Sequence, residues 1–83
     1  MDKIDNGKLR EELIAWRTSR GLSQEAASAM FGVTAPAYRH WEAGRRNVPG
    51  TVARLLRIYA MLDIMAPNVL EGVLDSAMGR KAG

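Results

Sequence analysis

The sequence contains no cysteine. Disulfides and thiolate metal sites are thereby excluded. It has one histidine, His40, beside nine carboxylates, which argues against a zinc site built from protein ligands alone. No metal and no cofactor is expected. No apolar run approaches the roughly 18 residues needed to span a bilayer. The opening residues, MDKIDNGKLREE, are polar and mixed in charge, unlike a secretory leader. Residence in the cytoplasm, away from membranes, is the expectation. Strand-like alternation and internal repeats are both missing. So are a Ser–His–Asp spacing and a phosphate-cradling glycine loop. His40 has no acid or nucleophile to act with, so no enzymatic activity is expected.

What is present is a chain of 83 residues, enough for one small domain with little core to spare. The net charge is +3, a surplus too modest to imply a partner by itself. Its placement says more. Five arginines (Arg39, Arg45, Arg46, Arg54 and Arg57) fall within 39–57, against one carboxylate, Glu42. A local basic field of this kind suits a phosphate backbone. An arginine-rich solvated surface gives the same pattern, and charge alone does not separate the two.

The periodicity predicts five helices. After a short tail to about Asn6, Leu9, Leu13 and Trp16 recur at spacings of three and four, with Ile14 beside them. This helix ends near Arg20 and Gly21, and Gly21 suits a left-handed cap. Ser23 suits the N-cap of a second helix, with Glu25 in its first turn and Ala27 and Phe31 on one face. Gly32 breaks it. Thr34 is the N-cap candidate of a third helix over 35–43, where Pro36 costs little so near the start. Tyr38 and Trp41 share its inner face, and Gly44 ends it. Residues 45–50, Arg-Arg-Asn-Val-Pro-Gly, read as a loop. A fourth helix over about 51–62 carries Val52, Leu55, Leu56, Tyr59 and Leu62. A break at Ala66-Pro67-Asn68 precedes a fifth helix with Val69, Leu70, Val73, Leu74 and Met78, stopping at Gly79. The residues after Gly79 are expected to fray.

The informative stretch is LSQEAASAMFGVTAPAYRHWEAG, residues 22–44. Two short helices flank a tight turn at Gly32. Short helices bury little area alone, so both must pack on the first and the fourth. Ala27, Phe31, Val33, Tyr38 and Trp41 supply a shared core face, and small Ser28 lets the two helices approach. The outward face of the third helix then shows Ala35, Pro36, Arg39 and His40. An exposed helix of this width fits the major groove of B-form DNA.

This stretch resembles the helix-turn-helix of the phage lambda Cro/C1 repressor family, the XRE-like group. The likeness rests on four features in combination. These are the Gly21-Leu22-Ser23-Gln24 opening, the Gly32-Val33-Thr34 turn, the Trp41-Glu42-x-Gly44 ending and the proline after the next loop. It covers about residues 9–62. The resemblance implies an all-α, compact five-helix domain of the lambda repressor-like DNA-binding type over 7–79. Beyond Leu62 the resemblance runs out, and residues 63–79 are a candidate dimerisation helix on their own apolar content.

By the same resemblance, Gln24 matches a glutamine that hydrogen-bonds a DNA phosphate, helped by N–H groups at its helix start. Thr34 matches the cap of the recognition helix, close to the DNA backbone. Ala35 and Pro36 match the two tip positions that face base edges, and His40 matches a third, one turn on. Here the sequence departs from the family pattern. Ala35 and Pro36 offer only contact with thymine methyls or close approach. Arg39 can reach a guanine or a phosphate, and His40 a base or the backbone. So weak a direct code leaves part of any specificity to DNA shape. Arg45, Arg46 and Asn47 match a loop that meets phosphates in relatives. Arg54 and Arg57 extend that track or are plain surface. Arg17 and Glu42 match an ion pair that fixes the angle between helices. Tyr38 replaces the usual branched aliphatic, and its hydroxyl must find a partner or reach solvent.

Beyond Leu62 the apolar residues outnumber what a peripheral helix needs. They complete the core, or they form a two-fold interface that spaces two recognition helices about one DNA turn apart. Met65, Val69, Leu70, Val73 and Leu74 are the interface candidates. A homodimer on double-stranded DNA, acting as a repressor of phage, prophage or small chromosomal type, is the expectation. Two alternatives stay open. One is an antitoxin that binds its own operator and a toxin, which needs a second apolar patch. The other is a protein-interaction module without DNA binding, against which Arg39, Arg45 and Arg46 speak.

Overall fold

The structure is a computed structural model that describes residues 6–79. Five helices follow one another: α1 (Asn6–Ser19), α2 (Gln24–Met30), α3 (Ala35–Glu42), α4 (Gly50–Met65) and α5 (Pro67–Ala77). The all-α, five-helix expectation therefore holds. Two boundaries differ from those read in the sequence. α1 begins at Asn6, and the Asn6 side chain accepts a hydrogen bond from the Val48 backbone N–H at 2.9 Å. The expected tail over 1–5 and the expected frayed end over 80–83 lie outside the described residues. α4 runs three residues past Leu62 because nothing breaks it before Pro67. Proline drives the residue before it out of the helical region, and Ala66 sits at φ −151°, ψ 66°.

The turns follow from local chemistry. Ser23 caps α2 by accepting from the Ala26 N–H at 3.0 Å, and Thr34 caps α3 by accepting from Ala37 at 3.3 Å. Gly32 takes a left-handed φ of 67°. Its N–H reaches Ala29 O, and the Val33 N–H reaches Ser28 O, each at 3.1 Å. This paired closure ends α2 and turns the chain at once into α3. Gly44 repeats it after α3, with its N–H on Trp41 O and the Arg45 N–H on His40 O. Arg45 is thereby fixed beside the end of α3.

The core is aromatic at its centre. Trp16, Phe31, Tyr38, Trp41 and Tyr59 are all buried and touch in succession, with ring centroids 5.4–6.2 Å apart. Edge and offset contacts of this kind add about 0.5–1.5 kcal/mol per pair beyond burial. Leu9, Leu13, Ala27, Met30, Val52, Ala53 and Leu56 pack around them. The Tyr59 hydroxyl donates to Met30 O. The Tyr38 hydroxyl departs from expectation. It neither reaches solvent nor finds a hydrogen-bond partner among the described residues, and neither does the Trp16 indole N–H.

α5 packs on both α2 and α4. Leu70 is fully buried and Leu74 nearly so, both within the core of the single chain. Their expected place at a dimer interface is therefore corrected: the stripe 70/74 faces inward because α2 and α4 leave an apolar gap for it. Val73 packs against the same core, while Met65 and Val69 are exposed. Arg20, at the end of α1, ion-pairs with Asp63 of α4 and with Glu71 of α5, the latter at 2.6 Å. One guanidinium thus ties three helices together. Among the described residues, no helix is long and apolar enough to cross a membrane.

Candidate nucleic-acid interface

The orientation of α3 is set by the buried carboxylate at its end. Glu42 accepts from Arg17 at both oxygens, with Nε to Oε2 at 2.6 Å and Nη2 to Oε1 at 2.9 Å. Arg17 Nη1 also donates to Leu22 O at 3.0 Å, so one side chain clamps α1, the start of the motif and α3. Gln24 Nε2 donates to Glu42 Oε1 at 3.0 Å. Arg10 Nε donates to the Glu42 carbonyl at 2.5 Å, at the negative end of the α3 dipole.

Burial alone would raise the Glu42 carboxyl. The Arg17 hydrogen bonds, with the nearby Tyr38 hydroxyl and then Gln24 assisting, outweigh it and hold the carboxyl below its ordinary value. The Arg17 guanidinium is raised in turn, chiefly by its hydrogen bonds to Glu42. Burial, reinforced by the Glu42 carboxylate, pushes the Tyr38 phenol far up. The cluster is a charged hinge pin under the motif.

On the outer side, Pro36 and Arg39 are exposed while Ala35 and His40 are half-buried. Thr34 is exposed beside its cap, and Arg45, Arg46 and Asn47 are exposed in the following loop. An open groove of about 460 Å³ brings together Gln24, Pro36, Arg39, His40, Glu42, Ala43 and Arg45. Thr34, Ala35, Arg46 and Asn47 lie outside its lining, as do Arg54 and Arg57 on the exposed side of α4. Gln24 is half-buried and spends one amide N–H on Glu42, which leaves a second for another acceptor.

Three contacts have no counterpart in the sequence reading. Arg39 Nη1 pairs with Glu25 Oε1 of α2 at 3.2 Å. Arg10 supports α3, and its position seven residues before Arg17 on the same helix face is the signal that points to it. Arg20 bridges α4 and α5. Glu25–Arg39 and Arg20–Asp63–Glu71 join separate helices, so no periodicity announces them.

Five helices with a capped α2, a glycine turn and an outward-facing α3 define a helix-turn-helix domain of the lambda repressor-like fold. The sequence pattern of one family, described as a helix-turn-helix domain, matches residues 8–66, and the chain belongs to that family. The match runs from α1 to the break before α5. No curated protein and no solved structure matches the chain. The domain is of a kind used in sequence-specific DNA binding and transcriptional regulation. Among the described residues, no group of three or more His, Asp or Glu is placed to hold a metal ion.

Proposed function

We propose that the protein is a dimeric, site-specific repressor that inserts α3 into the major groove of double-stranded DNA. The observation that carries this reading is the charge of the motif's surface. Between residues 21 and 62 the chain has five arginines and two carboxylates, and Glu42 is buried. That leaves Glu25 as the one exposed carboxylate on a surface with exposed Arg39, Arg45, Arg46, Arg54 and Arg57. All five Phe, Tyr and Trp side chains are in the core, so none of them is on the surface for unpaired bases to stack on. A duplex, met through phosphates and groove edges, is the partner this favours.

In this reading Arg39 and His40 address base edges, with Ala35 and Pro36 allowing close approach at the helix tip. Gln24, Thr34, Arg45, Arg46 and Asn47 meet phosphates, and Arg54 and Arg57 extend the track. Phosphate contacts fix register; base contacts carry sequence. Arg45→Ala and Arg46→Ala should weaken binding to every duplex alike. Each should also flatten the dependence of log K on log salt by about 1. Fluorescence anisotropy on matched and unmatched duplexes checks this. An unchanged affinity and slope would take both residues out of the interface.

The dimer half of the proposal rests on apolar exposure at one end of the molecule. Ile58, Met61, Ile64 and Met65 of α4 and Val69 of α5 are each more than half exposed. A contiguous apolar patch on a small domain marks an interaction site. A second copy meeting it across a two-fold axis gives two α3 helices for two half-sites, and occupancy of both blocks a promoter. Sedimentation should give a dimer that Met61→Lys converts to monomer. A wild-type monomer at tens of micromolar, free and on DNA, would assign the patch to a different protein, as an antitoxin requires.

A further inference from the structure

Arg39 is the only side chain on the outer face of α3 that can make a bidentate contact with a base edge, and it is already paired. Its Nη1 lies 3.2 Å from Glu25 Oε1. Glu25 stands in the first turn of α2, next to Gln24, and is the one exposed carboxylate between residues 21 and 62. The pair contributes little to folding, because its side chains are 47% and 68% exposed. A carboxylate is also an unfavourable choice for a surface meant to meet phosphates. Helix-dipole stabilisation of α2 accounts for a negative charge there but not for its contact with Arg39.

We infer that Glu25 is a specificity-determining residue that keeps Arg39 on the bases and off the backbone. This rests on the duplex-binding reading above. A guanidinium has five donors in a fixed fork. With one edge held by Glu25, the remaining donors suffice for the neutral acceptors O6 and N7 of a guanine. A phosphate offered to Arg39 meets the Glu25 charge as well, and is repelled. Glu25 therefore orients the guanidinium plane and filters its partner by charge. Ala35 and Pro36 cannot supply discrimination by hydrogen bonding, so the filter acts on the side chain that carries most of the direct code.

The test is selection from a randomised duplex library with wild type, Glu25→Gln and Arg39→Ala, followed by affinity and salt dependence on the enriched duplex. Thermal melting of each variant checks folding. Wild type should prefer guanine at one position per half-site by about tenfold. Arg39→Ala should abolish that preference. Glu25→Gln should cut it below about threefold while binding unrelated duplexes more tightly, with a salt slope steeper by about 1 as Arg39 turns to phosphate. A Glu25→Gln protein with the full guanine preference and unchanged slope would overturn the proposal. So would a wild-type preference that Arg39→Ala leaves intact, although DNA binding itself would then stand. Absence of wild-type binding to any duplex would overturn the duplex-binding reading, and this proposal with it.

Discussion

Glu42 concentrates more of the architecture than any other single side chain. It is 7% exposed and receives Arg17 at both oxygens, Gln24 at one and Arg10 at its backbone carbonyl. Removing one partner of such a pair leaves a buried charge uncompensated, at about 3 kcal/mol. Arg17→Met should therefore destabilise by about that amount in urea unfolding, and Arg17→Met with Glu42→Leu by less than the sum of the single changes. The pH dependence has a definite sign. The Glu42 carboxyl lies below its ordinary 4.5 in the fold, so the unfolded chain binds the proton first as pH falls. Its contribution is complete above pH 4.5 and is lost as pH drops through the lower folded value. Glu42→Gln should lack this acid limb in a profile of urea midpoint against pH. Tyr38 and Tyr59 act at the other end. Burial raises both phenols from 10.0, so stability should decline as pH rises above 10.

The helices end where local chemistry ends them, and that part of the fold is legible in the sequence. Ser23, Gly32, Thr34 and Gly44 fix caps and turns through their own backbone and side-chain preferences. Ser23→Ala and Thr34→Ala should each cost about 1 kcal/mol in thermal or urea unfolding. Apolar spacing is equally plain for Leu9, Leu13 and Trp16, because one face of α1 is buried and the other is charged. It fails where both faces are apolar. In α5, Leu70 and Leu74 point inward while Val69, and Met78 just past the helix end, point out, and a count of apolar residues cannot say which stripe meets the chain's own core. In α4 the residues 58, 61, 64 and 65 lie opposite Val52, Leu56 and Tyr59, so the outward stripe is hidden in a stretch, from Ile58 to Met65, that is apolar on both faces apart from Asp63. The sequence signs of the recognition surface are similarly partial. Arg39, His40, Arg45 and Arg46 stand out by type and position. The Glu25 that Arg39 meets does not, since it lies on another helix fourteen residues earlier.

At the scale of the whole molecule, the motif and its following loop carry exposed Arg39, Arg45 and Arg46, the second half of α4 and the start of α5 carry exposed Ile58, Met61, Ile64, Met65 and Val69, and Arg54 and Arg57 lie between the two on α4. A basic face for a duplex and an apolar face for a second copy need not compete for the same surface. Met61→Lys should therefore leave each domain folded, with an unchanged circular-dichroism melt. It should weaken DNA binding by the loss of the paired half-site rather than of any contact to DNA. The most direct measurement is selection of the wild-type protein on a randomised duplex library at two salt concentrations, with the stoichiometry of the enriched complex recorded. The account predicts a two-fold symmetric sequence, its half-sites about one helical turn apart, bound by two chains. Binding that falls steeply with salt and enriches no sequence, or no binding at either salt, would contradict it.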